Sequence, residues 1–257
     1  MSAPATRSRH GRRAATVWPT ARPDPVLPTA AAHPRPCGVP SAVAAYAIAV
    51  HSQPGTTVCD PDCGSGAVVV EAVRVRRHAI GITTDTDQWE TARAALTTAK
   101  AHGAPGDGMI LDQPPDRSSW TGLGPVDLLL TAIGPPPDPL EVDELTGESL
   151  RTRLAGYRDL SRPGACLIIV AAYHLSGQAD LASQIAAAGR DTGWRPVQRA
   201  IALTATPASQ QIGSARPPSR ARSRPAHHDV IVFRDRGHRH QPPLAPPPAA
   251  ADPRPTA

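Results

Sequence analysis

The stretch Thr57-Val-Cys-Asp-Pro-Asp-Cys-Gly-Ser-Gly66 changes from a strand-like to a loop-like composition over a few residues. Its β-branched run ends in an acid, Asp60, which is followed by a proline and then by two glycines, Gly64 and Gly66. An apolar pattern with helical spacing begins directly after the second glycine. This order predicts a buried strand, a tight loop and a helix N-terminus. There the glycines let a ligand come close to the backbone and the first helix amides are free to bind it.

Strand and helix patterns alternate along most of the remaining chain. The predicted elements are, in order, a helix over 40–52, a strand over 56–60, helix 65–77, strand 78–83, helix 88–102 capped by Asp87, strands 109–111 and 126–131, helix 145–160, strand 165–172, helix 178–192, and strands 197–205 and 228–234. This alternation predicts an α/β fold, a doubly wound, mostly parallel sheet of about seven strands. The last two strands have no helix between them and are expected to form an antiparallel pair at one edge.

Charge and proline content divide the chain into a central domain and two flanks. Residues 41–205 contain 13 basic and 18 acidic residues, whereas residues 1–40 contain six arginines and one acid. Four more arginines and no acid fall within 206–225. We expect a disordered basic arm over 1–16, a domain over 17–235 with a Pro/Arg-rich loop at 206–225, and a disordered tail over 236–257. The basic flanks are suited to phosphate contacts, although solvated tails explain their composition equally well.

Several classes of protein are disfavoured by the same composition. The four cysteines lack C-x-x-C spacing and paired histidines, which argues against zinc and any other metal. No apolar run is long enough for a membrane span, and no apolar segment typical of a signal peptide precedes the first prolines. A reducing cytoplasm is therefore the expected location. The sequence leaves the oligomeric state open.

Asp60-Pro-Asp-Cys-Gly-Ser-Gly66 resembles the first motif of S-adenosylmethionine (SAM)-dependent methyltransferases, in the form found in the amino-methyltransferases of DNA. The chain is also similar to bacterial relatives of the tRNA guanine methyltransferases. In these families a His-Pro pair, here His33-Pro34, precedes a helix, and the motif itself reads Asp-Pro-Phe-Cys-Gly-Ser-Gly-Thr. A dinucleotide-binding fingerprint needs a third glycine at position 69, where this chain has Val69, so the loop is a poor match to that fingerprint.

The resemblance implies a SAM site and assigns residues to it. The loop is expected to surround the amino-acid end of SAM, an acid after the second strand to bind the ribose, and an acid after the third to contact the adenine amino group. The corresponding residues are Asp60, Pro61, Cys63, Gly64 and Gly66 in the loop, Asp85 for the ribose and Asp112 for the adenine. Asp85 lies about two residues beyond the usual position, so a helix cap is an equal explanation for it and for Asp87.

The resemblance is weakest after the fourth strand. The families place Asp, Asn or Ser, two prolines and an aromatic residue there, to accept hydrogen bonds from the target amino group and to stack on the flipped base. Here Thr131-Ala-Ile-Gly-Pro-Pro-Pro137 has Gly134 in place of the polar residue and Pro137 in place of the aromatic. Thr131, Pro135 and Pro136 are the catalytic candidates that remain. Stacking on an aromatic contributes about 1–3 kcal/mol per base, so its loss is expected to slow the reaction.

Three functional hypotheses follow from these residues. The first is a SAM-dependent methyltransferase acting on an exocyclic amino group of a base in DNA or RNA. The second is a catalytically degenerate relative that binds SAM or nucleic acid without turnover, favoured by the missing aromatic, the displaced Asp85 and Ala67 in place of the usual threonine. The third is a small-molecule methyltransferase, favoured by the acidic central domain.

The basic N-terminal arm generates a first prediction. Arg7, Arg9, Arg12 and Arg13, together with the arginines of 216–224, are expected to give weak, salt-sensitive binding to nucleic acid. Each phosphate they neutralise adds about 0.9 to the log–log salt slope on duplex DNA. Deleting residues 1–16 should therefore lower both the affinity and the slope, measured by fluorescence anisotropy at several salt concentrations.

A matched deletion of residues 242–257 removes one arginine and one aspartate and leaves the net charge unchanged. It should leave the slope as it is. An unchanged slope after deletion of the N-terminal arm would identify that arm as a solvated tail without contact to the nucleic acid.

Overall fold

The strand, loop and helix predicted around Asp60 are present in the computed structural model, which describes residues 16–20, 38–113, 125–134, 146–171, 180–203 and 227–236. Its strands are β1 (Val17–Trp18), β2 (Thr57–Asp60), β3 (His78–Ile82), β4 (Gly108–Leu111), β5 (Val126–Ile133), β6 (Ser161–Ala171), β7 (Trp194–Leu203) and β8 (His227–Asp235). Its helices are α1 (Ser41–His51), α2 (Ala67–Arg74), α3 (Thr86–Ala101), α4 (Gly147–Leu160) and α5 (Leu181–Asp191). The predicted loop 206–225, and the arm and tail apart from Thr16 and Arg236, lie outside these residues.

The eight strands form one sheet in the order β1-β7-β8-β6-β5-β2-β3-β4. Strand β8 is antiparallel to both of its neighbours, and every other pair is parallel. The predicted fold class, a doubly wound, Rossmann-like sheet, is confirmed, with eight strands in place of about seven. None of the described helices is long and apolar enough to cross a membrane.

The sheet edge differs from the prediction. The antiparallel pairing of the last two strands is confirmed, but β7 is not an edge because β1 pairs with it through Val17 and Ile201. A two-residue strand is too short to show any periodicity in sequence. Its Trp18 is fully buried, with its ring centroid 4.9 Å from that of Tyr46 on α1. Aromatic packing against α1 therefore holds this strand in place.

Two layers of helices cover the sheet, one on each face. The core on one face contains α1, α2 and α3, and the core on the other face contains α4 and α5. The strands supply both cores by alternation, since Leu128 belongs to the first and Leu129 to the second. The apolar positions that predicted the helices, Val43 and Ile48 on α1 and Val69 on α2 among them, are buried as expected.

The boundaries of helices α2 and α3 differ from those predicted. Helix α2 begins at Ala67 because Gly66 has a left-handed φ of 85°, and it ends at Arg74. Helix α3 begins at Thr86, and its N-cap is Asp85, whose carboxylate accepts hydrogen bonds from the backbone of Asp87 at 3.0 Å and of Gln88 at 3.2 Å. The assignment of the cap to Asp87 is wrong, because the β-strand conformation of Asp85 is the one that lets a side chain reach the first free amides.

The topology opens a crevice at the carboxyl end of the sheet. Strands β2 and β5 pair directly, through Val58 with Leu128 and Cys59 with Leu129. The helix that follows β2 packs on one face, and α4, the first described helix after β5, packs on the opposite face. In open α/β sheets this is the switch point outside which ligands bind. The candidate site residues are therefore expected above the ends of β2, β3, β4 and β5.

Candidate functional site

The loop after β2 is held to the sheet by short backbone contacts. The side chain of Asp60, only 4% exposed, accepts a hydrogen bond from the backbone N–H of Asp62 at 3.3 Å. The backbone N–H of Cys63 donates to the carbonyl of Ile82 at the end of β3, at 2.7 Å. Pro61, which begins the loop, follows Asp60 directly. These contacts fix the predicted loop above the ends of β2 and β3.

Gly66 has a packing role that the sequence did not indicate. A Cβ atom at this position would lie 3.0 Å from the Cα and 3.1 Å from the Cβ of Ala92 on α3. The absence of a side chain therefore lets α2 and α3 come together, in addition to permitting the left-handed turn. A larger residue at 66 would disturb this packing first, so loss of ligand binding in such a variant would not isolate the ligand contact. Gly64 lies buried in the same loop.

Asp62 is the centre of a polar cluster that joins three parts of the fold. One of its carboxylate oxygens accepts a hydrogen bond from Arg153 on α4 at 2.8 Å. The other accepts from the hydroxyl of Thr131 on β5 at 3.2 Å and from the hydroxyl of Tyr157 on α4. We call Asp60, Asp62, Thr131, Arg153 and Tyr157 the switch-point cluster. It ties the loop to both β5 and α4.

Sequence reasoning missed Asp62, Arg153 and Tyr157. One signal for Asp62 was available, because it stands where the resembled families have phenylalanine. An acid in place of an aromatic residue beside a glycine loop requires a cationic or hydrogen-bonding partner. Arg153 and Tyr157 lie four residues apart on α4 and so face the same side of the helix. Only the packing of α4 over β5 brings them to the loop.

Burial changes the acid–base behaviour of the cluster. Removal from water, followed by the negative charge of Asp62, raises the pKa of Asp60 to about 8, even though the backbone N–H of Asp62 donates a hydrogen bond to it. Burial also raises the pKa of the Tyr157 hydroxyl well above its usual value, and the charge of Asp62 adds to that effect. Asp60 and Tyr157 are thus both protonated at neutral pH. The ion pair of the cluster is formed by Asp62 and Arg153.

The two cysteines of the loop region are apolar in character. Cys59 and Cys63 are buried, unpaired thiols, and burial raises the pKa of each well above its usual value. They fill space beside β3, since a Cβ on Gly81 would lie 2.7 Å from the sulfur of Cys63. Among the described residues, no group of three or more histidine, cysteine or acidic side chains is placed to hold a metal ion.

A cavity of about 150 Å³ lies at the ends of β3 and β4, and its walls include both acids assigned to the adenosine half of SAM. Its lining residues are Thr83, Thr84, Asp85, Thr86, Trp89 and Asp112. Asp85 is engaged there on both oxygens, because one caps α3 and the other accepts from the side-chain amide of Gln88 at 3.2 Å. The helix-cap explanation is therefore confirmed for Asp85, while its contact with a ribose stays a prediction. Asp112 is exposed at the rim.

Trp89 is a second residue that the sequence reading did not select. Its ring lines the cavity, and the guanidinium of Arg93 lies 4.4 Å from the ring centroid. The indole N–H is buried without a hydrogen-bond partner among the described residues. A flat aromatic wall suits the adenine ring of a nucleoside.

The catalytic candidates in and after β5 are only partly described. Thr131 is fully buried within β5, and its hydroxyl donates to Asp62. Ile133 is the last residue of the strand, and Gly134 is the last described residue after it. Pro135 and Pro136 lie outside the described residues, as does Pro137. The structure therefore brings Thr131 to the loop of Asp60, while the roles of the prolines stay predictions.

The comparisons with known proteins agree with this resemblance over part of the chain. Residues 3–94, roughly a third of the chain, match the model of a DNA methylase family. That segment contains the glycine loop, β3 and the start of α3. The resemblance drawn from Asp60-Pro-Asp-Cys-Gly-Ser-Gly66 is thereby confirmed for this segment. No curated protein matches the sequence.

Solved methyltransferase structures are similar at low identity. TrmN of Thermus thermophilus is 16% identical with a TM-score of 0.48 over 77% of this chain and 49% of its own. A magnesium protoporphyrin IX methyltransferase of Synechocystis, solved with bound SAM, is 18% identical with a TM-score of 0.48, over 75% and 76%. A SAM-dependent methyltransferase of Methanosarcina mazei is 13% identical with a TM-score of 0.48, over 73% and 96%. Because these identities and TM-scores are low, the assignment of the fold depends on the strand order described above and not on these structures.

The raised pKa of Asp60 leads to a prediction about stability. In the unfolded chain this carboxyl group ionises near its ordinary pKa of 3.8, whereas in the folded protein it holds its proton up to about pH 8. The folded state thus binds more protons between these values, and its contribution to stability falls as the pH rises through this range, by at most about 1.4 kcal/mol per pH unit.

Asp60→Asn keeps the size of the side chain and cannot ionise. We expect this variant to gain stability relative to the wild type as the pH is raised from about 5 to about 9, a range that includes the pKa of about 8. Urea unfolding at each pH measures the free energy of unfolding of both proteins. A constant difference between the two proteins across this range would show that Asp60 ionises normally.

Proposed function

We propose that this protein is a SAM-dependent methyltransferase that acts on an exocyclic amino group of a base in DNA or RNA. The observation that carries the proposal is the position of the glycine loop. The segment that matches the DNA methylase model folds into a strand, loop and helix, and its loop lies at the switch point of the sheet. A cavity lined by two further predicted residues lies beside it.

The residues fit the two ends of SAM in different ways. The loop of Asp60, Pro61, Cys63, Gly64 and Gly66 presents backbone amides and one buried carboxyl group, that of Asp60, which suit the polar amino-acid end. The cavity with Asp85, Asp112 and Trp89 offers acceptors and an aromatic surface, which suit a nucleoside. Open α/β sheets commonly bind extended ligands across neighbouring strand ends in this manner.

Catalysis in this proposal depends on orientation. When bound, SAM supplies an electrophilic methyl group attached to a sulfonium. The chain has to hold the target nitrogen in line with that group and exclude competing nucleophiles. Thr131, Pro135 and Pro136 are assigned to the target by the resemblance alone, and backbone carbonyl groups after β5 would accept hydrogen bonds from its amino group. The nitrogen releases its proton to solvent after the transfer.

The nucleic-acid partner is supported by the matched family model and by the basic flanks, while the central domain is acidic. A second candidate, a degenerate relative that binds without turnover, is favoured by a specific observation. Thr131 is fully buried with its hydroxyl donating to Asp62, and Gly134 provides no polar group in its place. Among the described residues, the carboxyl end of β5 thus presents no exposed side-chain acceptor to a target amino group.

Restoring the family's residues after β5 distinguishes the active methyltransferase from the degenerate relative. Because Ile133 is buried within β5, the repair is best confined to Gly134→Ser with Pro137→Tyr, which leaves the strand and both intervening prolines intact. We expect slow or absent methylation by the wild type and at least about a fivefold higher rate after repair, from a stacking contribution of roughly 1 kcal/mol. Radiolabelled methyl transfer to DNA and to RNA measures it.

Gly134→Ser with Pro137→Ala is the matched control, since it changes the same positions without supplying a ring. Trp120 precedes β5 in the sequence and is the aromatic residue that could stack on the base in place of the missing one, which Trp120→Ala tests. Rapid turnover by the wild type that is insensitive to Trp120→Ala would contradict the degenerate-site account.

A further inference from the structure

The switch-point cluster places two opposite full charges side by side at the position expected for a ligand. The guanidinium of Arg153 lies 2.8 Å from the carboxylate of Asp62, and their side chains are 38% and 27% exposed, respectively. The carboxylate is held in place, because Thr131 and Tyr157 both donate to it. An ion pair that is ordered on one side and open on the other can contact a ligand without being taken apart.

The two groups retain hydrogen-bonding capacity. A guanidinium carries more N–H donors than its contacts with Asp62 and Tyr157 use, and these donors lie in one plane that matches a carboxylate. The buried carboxyl group of Asp60 lies next to Asp62 and accepts a hydrogen bond from its backbone N–H at 3.3 Å. The cluster thus offers one cationic and two acidic groups within a small area.

We propose that Arg153 and Asp62 together recognise a zwitterionic α-amino-acid group, with Arg153 binding its carboxylate and Asp62, assisted by Asp60, binding its ammonium. This inference rests on the proposed function, in which the amino-acid end of SAM is the ligand of the loop. It adds α4 to the ligand site through a residue that the motif does not contain, and it gives Asp62 a purpose in place of the family's phenylalanine.

A zwitterion fits the pair better than either single charge. An anion bound to Arg153 would lie beside the carboxylate of Asp62 and be repelled, and a cation bound to Asp62 would lie beside Arg153. A ligand that carries both charges on one carbon presents each to its opposite. Its ammonium also favours ionisation of Asp60, whose proton is displaced to solvent on binding.

The alternative is a structural ion pair that only fastens α4 to the loop. A ligand series separates the two accounts. S-adenosylhomocysteine contains the amino-acid group, whereas 5′-methylthioadenosine has the same nucleoside and sulfur but lacks that group. Isothermal titration calorimetry of the full chain with both probes measures binding without any need for turnover.

Arg153→Met removes the charge and keeps most of the apolar stem. We expect it to weaken S-adenosylhomocysteine binding about 10- to 150-fold, the range for a charge-assisted hydrogen bond, and to leave 5′-methylthioadenosine binding unchanged. Arg151→Met is the matched control, because Arg151 is on the same helix and pairs with Asp191 at 3.0 Å on the surface towards α5. It should affect neither probe. Circular dichroism establishes that each variant is folded.

Asp62→Asn completes the design. If Arg153 contacts the ligand, Arg153→Met still weakens S-adenosylhomocysteine binding in the Asp62→Asn background. If Arg153 acts only through Asp62, the second substitution adds nothing, and the inference is overturned. Equal weakening of both probes by Arg153→Met, or no weakening, overturns it as well. A wild type that binds neither probe contradicts the proposed function itself, which is a different result from a wild type that binds both and is insensitive to Arg153.

Discussion

Strands β2 and β5 are neighbours at the centre of the sheet, although α2, β3, α3 and β4 lie between them in the chain. Their parallel pairing brings the end of one strand, Asp60, to the level of Thr131 near the end of the other. It also sends the flanking helices α2 and α4 to opposite faces of the sheet. The candidate site depends on this single pairing.

The charges at this position follow from the same geometry. A loop between a buried strand and a helix has little access to water, and Asp60 accordingly keeps a proton up to about pH 8. Helix α4 places Arg153 and Tyr157 at hydrogen-bonding distance from Asp62. A carboxylate in place of an aromatic residue would be costly without these partners. The substitution in the loop and the residues of α4 therefore belong together.

Much of the fold could be predicted from sequence because its signals are local. The apolar face of α2, the strand at 126–131 and the loop glycines each show within a few residues, and each is present in the structure. The short strand β1 could not be predicted in this way, since Trp18 is fixed by packing against α1 and β7. Position along the chain alone also failed to distinguish Asp85 from Asp87 as the cap of α3.

The site was predictable only where a motif covers it. The motif selected Asp60 and the glycines, and the order of strands selected Asp85 and Asp112, which share a cavity. Arg153, Tyr157 and Trp89 carry no motif, and their contribution arises from helices that pack across the sheet. Gly66 shows the limit of motif reasoning, because its neighbour in the structure is Ala92, a residue of α3.

Hydrogen–deuterium exchange of the full chain with and without SAM tests the central claim most directly, because it locates the ligand without relying on any substitution. The account predicts slower exchange in peptides that cover the carboxyl-edge segments 60–66 and 83–89, and no change at the amino-edge segments 53–57 and 75–78. Slower exchange at the amino edge, or no change anywhere at saturating SAM, would contradict it.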